Sequence, residues 1–68
     1  MINNYYKHFK GNIYKVIAIA KHSETLEDMV VYESVKTKEI WVRPLAMWDD
    51  EVEKDGITYK RFTKIKTE

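Results

Sequence analysis

The sequence predicts an all-β domain, a small SH3-like antiparallel barrel of about five strands. Three observations support this fold class. Short segments rich in Val, Ile and Tyr recur along the chain and are separated by polar turn residues. Asp55-Gly56 stands between two such segments, which is a strong signal for a two-residue hairpin turn. No segment has a convincing helical period, and small all-β domains protect their strand edges by closing or bending the sheet.

The first strand is predicted over residues 12–21, NIYKVIAIAK. Its β-branched residues are stiff and favour extended backbone. Alternation assigns its side chains to two faces, with Tyr14, Val16, Ala18 and Ala20 on one, and Ile13, Lys15, Ile17 and Ile19 on the other. Because both faces are largely apolar, we expect a central strand that is covered on both sides.

The middle of the chain alternates strands and polar links. Residues 22–28, HSETLED, favour a turn through side-chain bonds to the backbone. A second strand follows over 29–35, then the polar link KTKE, then a third strand over 40–43 that Pro44 ends. Residues Pro44–Asp49 are predicted to form a helical turn with Pro44 at its first position. We expect the turn to be short, because the aspartates at its C-terminal end oppose the helix dipole.

The hairpin turn at Asp55-Gly56 fixes the pairing of the last two predicted strands. A type I′ turn places Val52 opposite Tyr59 and Lys54 opposite Ile57. Extending this register places Arg61 beside Asp50. Phe62 then falls on the face opposite Tyr59, so either one ring is exposed or a bulge intervenes.

Size and composition limit the classes of protein that remain. We expect a single domain over residues 1–68, and so short a chain buries only about 60% of its unfolded surface. Cysteine is absent, so disulfides and cysteine zinc sites are excluded, and nine aromatic residues are left to supply core volume. Twelve basic and eleven acidic residues argue against nucleic-acid or membrane binding. With no long apolar segment and no signal-like N-terminus, a cytoplasmic protein is expected.

Several short motifs spread along the chain are shared with one protein family. They are YYKHFKG at 5–11, YKV at 14–16, AKHSETLE at 20–27, VVY at 30–32, WVRPLAMW at 41–48, and Val52, Gly56, Arg61 and Phe62. Together they resemble the bacterial and phage family known as domain of unknown function 1653. Trp48 stands where that family usually has Phe, and KTKE lacks a glycine often found there. The resemblance implies a compact β fold and a bacterial or phage setting, and it supplies no catalytic residues.

The stretch IWVRPLAMWDD holds both tryptophans around one arginine. In an extended strand Trp41 and Arg43 share a face, and with Tyr32 they form an aromatic and cationic surface suited to a base and its phosphate. The alternative interpretation gives Trp41, Met47 and Trp48 to the core. Arg43 then pairs with Asp49, Asp50 or a backbone carbonyl, and this structural role is favoured because large rings usually serve the core first.

Two further segments have both a functional and a structural interpretation. His22 and Glu24 share a face if extended and form an acid–base pair, whereas in a turn His22 orients the loop. Residues 6–11 alternate rings and cations, which suits single-stranded nucleic acid, or else they form an arm that covers an open barrel edge. The structural interpretation is favoured for both.

Signatures of enzymes and metal sites are missing from the sequence. We therefore expect a non-enzymatic binding module with no cofactor and no metal. Its ligand would be a small anion such as a nucleotide, bound by Tyr32, Trp41, Arg43, His22 and Trp48. Nucleic acid and membrane are not expected partners. The alternative is a protein-interaction or homodimerising module, and a third, weaker hypothesis is an enzyme that uses His22 and Glu24.

Overall fold

A computed structural model describes residues 1–65 of the chain. The C-terminal three residues of the expected domain, 66–68, lie outside that range. The described part holds seven strands and one short 3₁₀ turn: β1 Tyr5–His8, β2 Ile13–Lys21, β3 Asp28–Ser34, β4 Ile40–Pro44, the 3₁₀ turn Leu45–Met47, β5 Glu51–Lys54, β6 Ile57–Lys60 and β7 Phe62–Ile65. The all-β prediction and the short helical turn are confirmed, with Pro44 preceding the turn as its cap.

The strands form one open antiparallel sheet and one separate hairpin. Five strands lie in the order β4-β3-β2-β1-β7, while β5 pairs with β6. Within residues 1–65, β4 and β7 are the two edges and do not meet, so the sheet does not close. The predicted SH3-like barrel is therefore not confirmed, because the chain between the two edges forms its own two-stranded ribbon instead of bridging them.

The N-terminal segment is an internal strand, which the sequence analysis missed. Tyr6 pairs with Tyr14 of β2, and His8 pairs with Phe62 of β7. Gly11 has φ +105°, a conformation that favours glycine, and its N–H donates to the carbonyl of His8 at 2.7 Å. The prediction that this segment is an arm over an open barrel edge is therefore wrong. Strand β1 lies between β2 and β7 and pairs with both.

A bulge in β2 changes the predicted assignment of its faces. The register with β3 shifts between Val16 and Ala18. Val16 lies opposite Tyr32 on the covered face, but Ala18 lies opposite Val31 on the other. The prediction that Val16 and Ala18 share a face is therefore wrong, because one extra residue reverses the alternation beyond it. The second face of β2 is also only partly covered, and Ile13 on it is exposed.

The predicted hairpin is present with the predicted register. Asp55 and Gly56 have φ +54° and +78°, as a type I′ turn requires. Val52 pairs with Tyr59, and Lys54 pairs with Ile57. Tyr59 is exposed while Phe62 is buried, so the first of the two predicted outcomes, one exposed ring, is the one observed.

The core consists mostly of aromatic rings. The buried apolar residues among those described are Val16, Val30, Tyr32, Trp48 and Phe62, with Tyr6 and Tyr14 packed against them. The 3₁₀ turn after Pro44 carries Trp48 under the sheet, where its ring stacks on Phe62 with a centroid distance of 4.0 Å. Tyr32 meets Trp48 edge to face at 5.2 Å. Large rings thus supply the volume that a chain of this length otherwise lacks.

A search of the described residues for membrane-spanning helices finds none that is long and apolar enough.

Candidate anion-binding site

Strand β4 places its arginine on the covered face of the sheet. Arg43 lies opposite Val30, and Trp41 lies opposite Tyr32, and both partners on β3 are buried. Trp41 and Arg43 therefore share a face, as the alternation in IWVRP predicts. Met47, which the structural interpretation assigned to the core, is exposed, as is Trp41.

The guanidinium of Arg43 is held by the segment that follows β4. Its Nη2 donates to the carbonyl of Met47 at 3.2 Å and lies 3.5 Å from Oδ2 of Asp50. Its central carbon lies 5.6 Å from the centroid of the Phe62 ring, within the range of a cation–π contact. Two of the acceptors named in the structural interpretation, Asp50 and a backbone carbonyl, are thus present, although the contact with the carboxylate is long.

A second guanidinium shares the same carboxylate. Nε of Arg61 lies 4.0 Å from Oδ2 of Asp50, at the limit of an ion pair. The backbone of Arg61 is fixed on both sides, because its N–H donates to the carbonyl of Asp50 at 2.9 Å and its carbonyl accepts from Phe9 at 2.9 Å. We call Arg43 and Arg61 the arginine pair. The hairpin register predicted that Arg61 lies beside Asp50 but gave no reason to bring Arg43 there.

Three N–H groups around this pair have no acceptor. Nε of Arg43, Nε of Arg61 and Nε1 of Trp48 are buried and make no hydrogen bond within residues 1–65. A buried donor left without an acceptor costs about 1–3 kcal/mol, and more if it is charged. Proteins satisfy nearly all such groups with protein or solvent atoms, so these three donors need acceptors from outside the described residues.

Burial and nearby positive charges shift the pKa of the neighbouring imidazole, His8. The pKa of His8 lies below its ordinary value, first because of burial and then because of the charges of Arg61, Lys10 and Arg43. Burial also raises the pKa of Tyr32, an effect that the nearby Arg43 guanidinium opposes. Burial and the nearby positive charges therefore both disfavour the imidazolium form of His8.

The structure brings together three of the five residues predicted to bind a ligand. Tyr32 and Trp48 contact each other, and Phe62 joins Trp48 to Arg43. The rings of Tyr32 and Trp48 are buried, so they support the arginine pair rather than present a stacking surface. Trp41 is half exposed and lines a separate groove of about 180 Å³ with Tyr14, Ser34, Lys36, Thr37, Glu39 and Asn12.

His22 lies apart from the other four residues, in the turn between β2 and β3. Its Nδ1 accepts the N–H groups of Glu24 at 3.1 Å and Thr25 at 3.3 Å. The imidazole therefore organises the turn, as the structural interpretation described, and it is not paired with the carboxylate of Glu24 in the way that the acid–base hypothesis requires. Within residues 1–65, no group of three His, Cys, Asp or Glu side chains is placed to hold a metal ion.

Comparisons with known proteins agree with the resemblance seen in the sequence. The model of one family, described as "Protein of unknown function (DUF1653)", matches residues 4–64. The chain belongs to the DUF1653 family. A crystal structure of a DUF1653 protein from Bordetella bronchiseptica is similar, with a TM-score of 0.83 and 26% identity over 96% of this chain and 87% of that one. A search of curated proteins finds no match.

Proposed function

We propose that this DUF1653 protein is a non-enzymatic binding module that holds a small anion at the arginine pair, with the phosphate of a nucleotide as the leading candidate. The observation that carries the proposal is the cluster of three buried N–H groups without acceptors, on Arg43, Arg61 and Trp48. An anion supplies the acceptor atoms that these donors lack, and hydrogen bonds to ionised groups are stronger than neutral ones.

The charges around the site favour an anion that carries several oxygens. Two guanidiniums share one carboxylate at 3.5 and 4.0 Å, both longer than a strong charge-assisted bond. Arginine presents its donors in a planar fork that matches phosphate or carboxylate. An arriving oxyanion would therefore bridge the pair beside Asp50, and it would also lower the positive potential at His8.

Access to the site supports the same proposal. The side chains of Arg43, Arg61 and Asp50 keep 19%, 31% and 33% of their surface exposed, so the rim of the pair faces solvent. Arg43 lies over the ring of Phe62, which stacks on Trp48, so one side of the site is an apolar, low-dielectric floor where charge interactions are strong.

The local hydrogen bonds of the two imidazoles support the part of the proposal that the module acts by binding alone. Nδ1 of His8 accepts the N–H of Lys10 at 3.2 Å, and Nδ1 of His22 accepts the N–H of Glu24 at 3.1 Å. Both rings are thus engaged in local turns rather than paired with a nucleophile. Incubation with nucleotides, followed by phosphorus NMR, should show no turnover, and the appearance of inorganic phosphate would overturn this part of the proposal.

The binding experiment uses NMR titration with inorganic phosphate, then with linear and cyclic nucleotides. We expect saturable shifts of the indole N–H of Trp48 and of the ring protons of His8. Arg61→Gln should weaken binding at least tenfold. Lys60→Gln removes the same charge from the exposed neighbouring position and should change it less than twofold.

Equal losses in the two variants would indicate unspecific charge attraction and would overturn the assignment to the arginine pair. The same holds if phosphate leaves both the Trp48 and His8 signals unmoved at millimolar concentration.

A further inference from the structure

Strand β4 is an edge strand with an apolar exposed surface. Ile40, Trp41 and Val42 are 60%, 49% and 59% exposed, and residues 1–65 place no strand beside them on the outer side. Natural edge strands usually carry lysine, proline or a bulge that prevents further pairing. Here Pro44 stands only at the end of β4, and its centre has none of these protections.

The direction of the backbone groups in β4 follows from its pairing with β3. The N–H of Ser34 donates to the carbonyl of Glu39 at 2.9 Å, just before the strand begins. In an antiparallel pair such hydrogen-bonded positions alternate with positions that point away. Trp41 and Arg43 therefore direct their N–H and C=O groups towards β3, and Ile40 and Val42 direct theirs outwards.

We propose that two copies of this chain associate through β4, in an antiparallel pair whose two-fold axis passes at Trp41. This register lets the outward N–H and C=O groups of Ile40 in one copy bond those of Val42 in the other. The two-fold axis generates the same hydrogen bonds a second time, so that the outward N–H groups of Ile40 and Val42 in both copies have acceptors. The two five-stranded sheets then form one continuous sheet across the axis.

The side chains match in the same register. Trp41 of each copy meets Trp41 of the other at a non-hydrogen-bonded position, where side chains approach most closely and aromatic pairs are favourable. Ile40 lies opposite Val42 on the reverse face. Glu39 lies opposite Arg43, so no like charges face each other on either side of the axis. Pro44, which has no N–H, lies outside the hydrogen-bonded positions.

A shift of the axis to Val42 gives a poorer match. It places Trp41 opposite Arg43 and Ile40 opposite Pro44, so that Pro44 leaves the outward carbonyl of Ile40 without a donor in both copies. It also separates Glu39 from Arg43. The two registers can be told apart by experiment, because they give the side chain at position 41 different partners.

The size of the edge predicts a weak dimer. Five residues of one strand bury less than the roughly 1,200 Å² of a standard stable interface, even with the neighbouring Leu45 and Met47, which are also exposed. We therefore expect a monomer at low micromolar concentration and a dimer as concentration rises. Sedimentation equilibrium from micromolar to millimolar protein should show a mass that rises from 8.2 kDa towards twice that value.

A charge exchange at position 41 tests the axis directly. Trp41→Lys and Trp41→Glu each place like charges against each other and should both remain monomeric. Mixed in equal amounts, they should form a heterodimer that native mass spectrometry separates by mass. Ile57→Lys and Ile57→Glu, at an equally exposed apolar position of the hairpin, are the matched controls and should dimerise like the unchanged chain.

Each other outcome contradicts the proposal. If Trp41→Glu alone dimerises more strongly, its partner is Arg43 and the axis lies at Val42. If the unchanged chain is a monomer throughout, or if the mixture does not associate, the edge does not pair with itself. Arg61 and Asp50 are not used in this interface, so loss of phosphate binding in Arg61→Gln leaves the test intact.

Discussion

Trp48 and Phe62 stack face to face, with ring centroids 4.0 Å apart and planes that differ by 1°. Trp48 follows β4, and Phe62 begins β7. Within residues 1–65, β4 and β7 are the two edge strands of the sheet. Their contact therefore connects the two edges of the open sheet through side chains rather than through hydrogen bonds.

Phe62→Ala should destabilise the protein severely. Truncation of a buried phenylalanine costs about 3–5 kcal/mol, which is a large part of the total stability of a small domain. It also removes the ring that contacts Arg43, His8 and Tyr14. Urea unfolding followed by circular dichroism measures the loss. Tyr59→Ala, at an exposed ring of the hairpin, should cost less than 1 kcal/mol and serves as the control.

The features that the sequence predicted correctly are those that local chemistry determines. Asp55-Gly56 fixes its turn because few other residues tolerate positive φ at two successive positions, and that turn alone sets the register of β5 with β6. The short helical turn after Pro44 is likewise local. The confirmed expectation that aromatic rings fill the core follows from the length of the chain, because a large ring supplies more buried area per residue than an aliphatic side chain.

The features that were missed depend on contacts between distant segments. Nothing near Tyr6 indicates that its strand pairs with both β2 and β7, since that requires the two ends of the chain to meet. The bulge at Ile17 could not be predicted either, because the apolar sequence around it is compatible with both a regular and a bulged strand. Each contact of the arginine pair was predicted separately, Arg61 beside Asp50 from the hairpin register and Arg43 with Asp50 from its structural interpretation. The sequence did not predict that both guanidiniums share this carboxylate, because Arg43 and Arg61 belong to distant segments.

Lys38→Gly should stabilise the protein. Lys38 has φ +67° in the turn between β3 and β4, a conformation that a side chain disfavours by roughly 1 kcal/mol and glycine does not. The expected gain, up to about 1 kcal/mol, is measured as a rise of the thermal midpoint. Lys36→Gly removes the same charge where φ is not positive, and it should be neutral or destabilising; a gain of similar size there would show that charge, not backbone conformation, is responsible.

Stability should fall on mild acidification because of His8. The folded pKa of His8 is depressed by burial and by Arg61, Lys10 and Arg43, so between its ordinary value of 6.5 and the lower folded value the unfolded chain binds more protons. The contribution is fully present above about pH 6.5 and is lost as the pH falls through that window towards the folded pKa. Protonation of Nδ1 also ends its bond with Lys10. Thermal melts from pH 7.5 to 5 should show a smaller drop in His8→Gln than in the unchanged protein; parallel curves would contradict the prediction.

Asp50→Asn should make the stability of the protein depend more strongly on phosphate. The carboxylate of Asp50 lies 3.5 Å from Arg43 and 4.0 Å from Arg61, so its neutralisation leaves two guanidiniums without their shared counter-charge. If the arginine pair is an anion site, phosphate competes with Asp50 in the unchanged chain and replaces it in the variant. The variant should therefore melt at a lower temperature in chloride buffer, and millimolar phosphate should raise its midpoint by more degrees than that of the unchanged protein. Asp55→Asn, which changes an equal charge in the distant hairpin turn, controls for general effects of phosphate as a salt. A variant that gains no more from phosphate than this control would show that the carboxylate only anchors the arginines and that no anion replaces it.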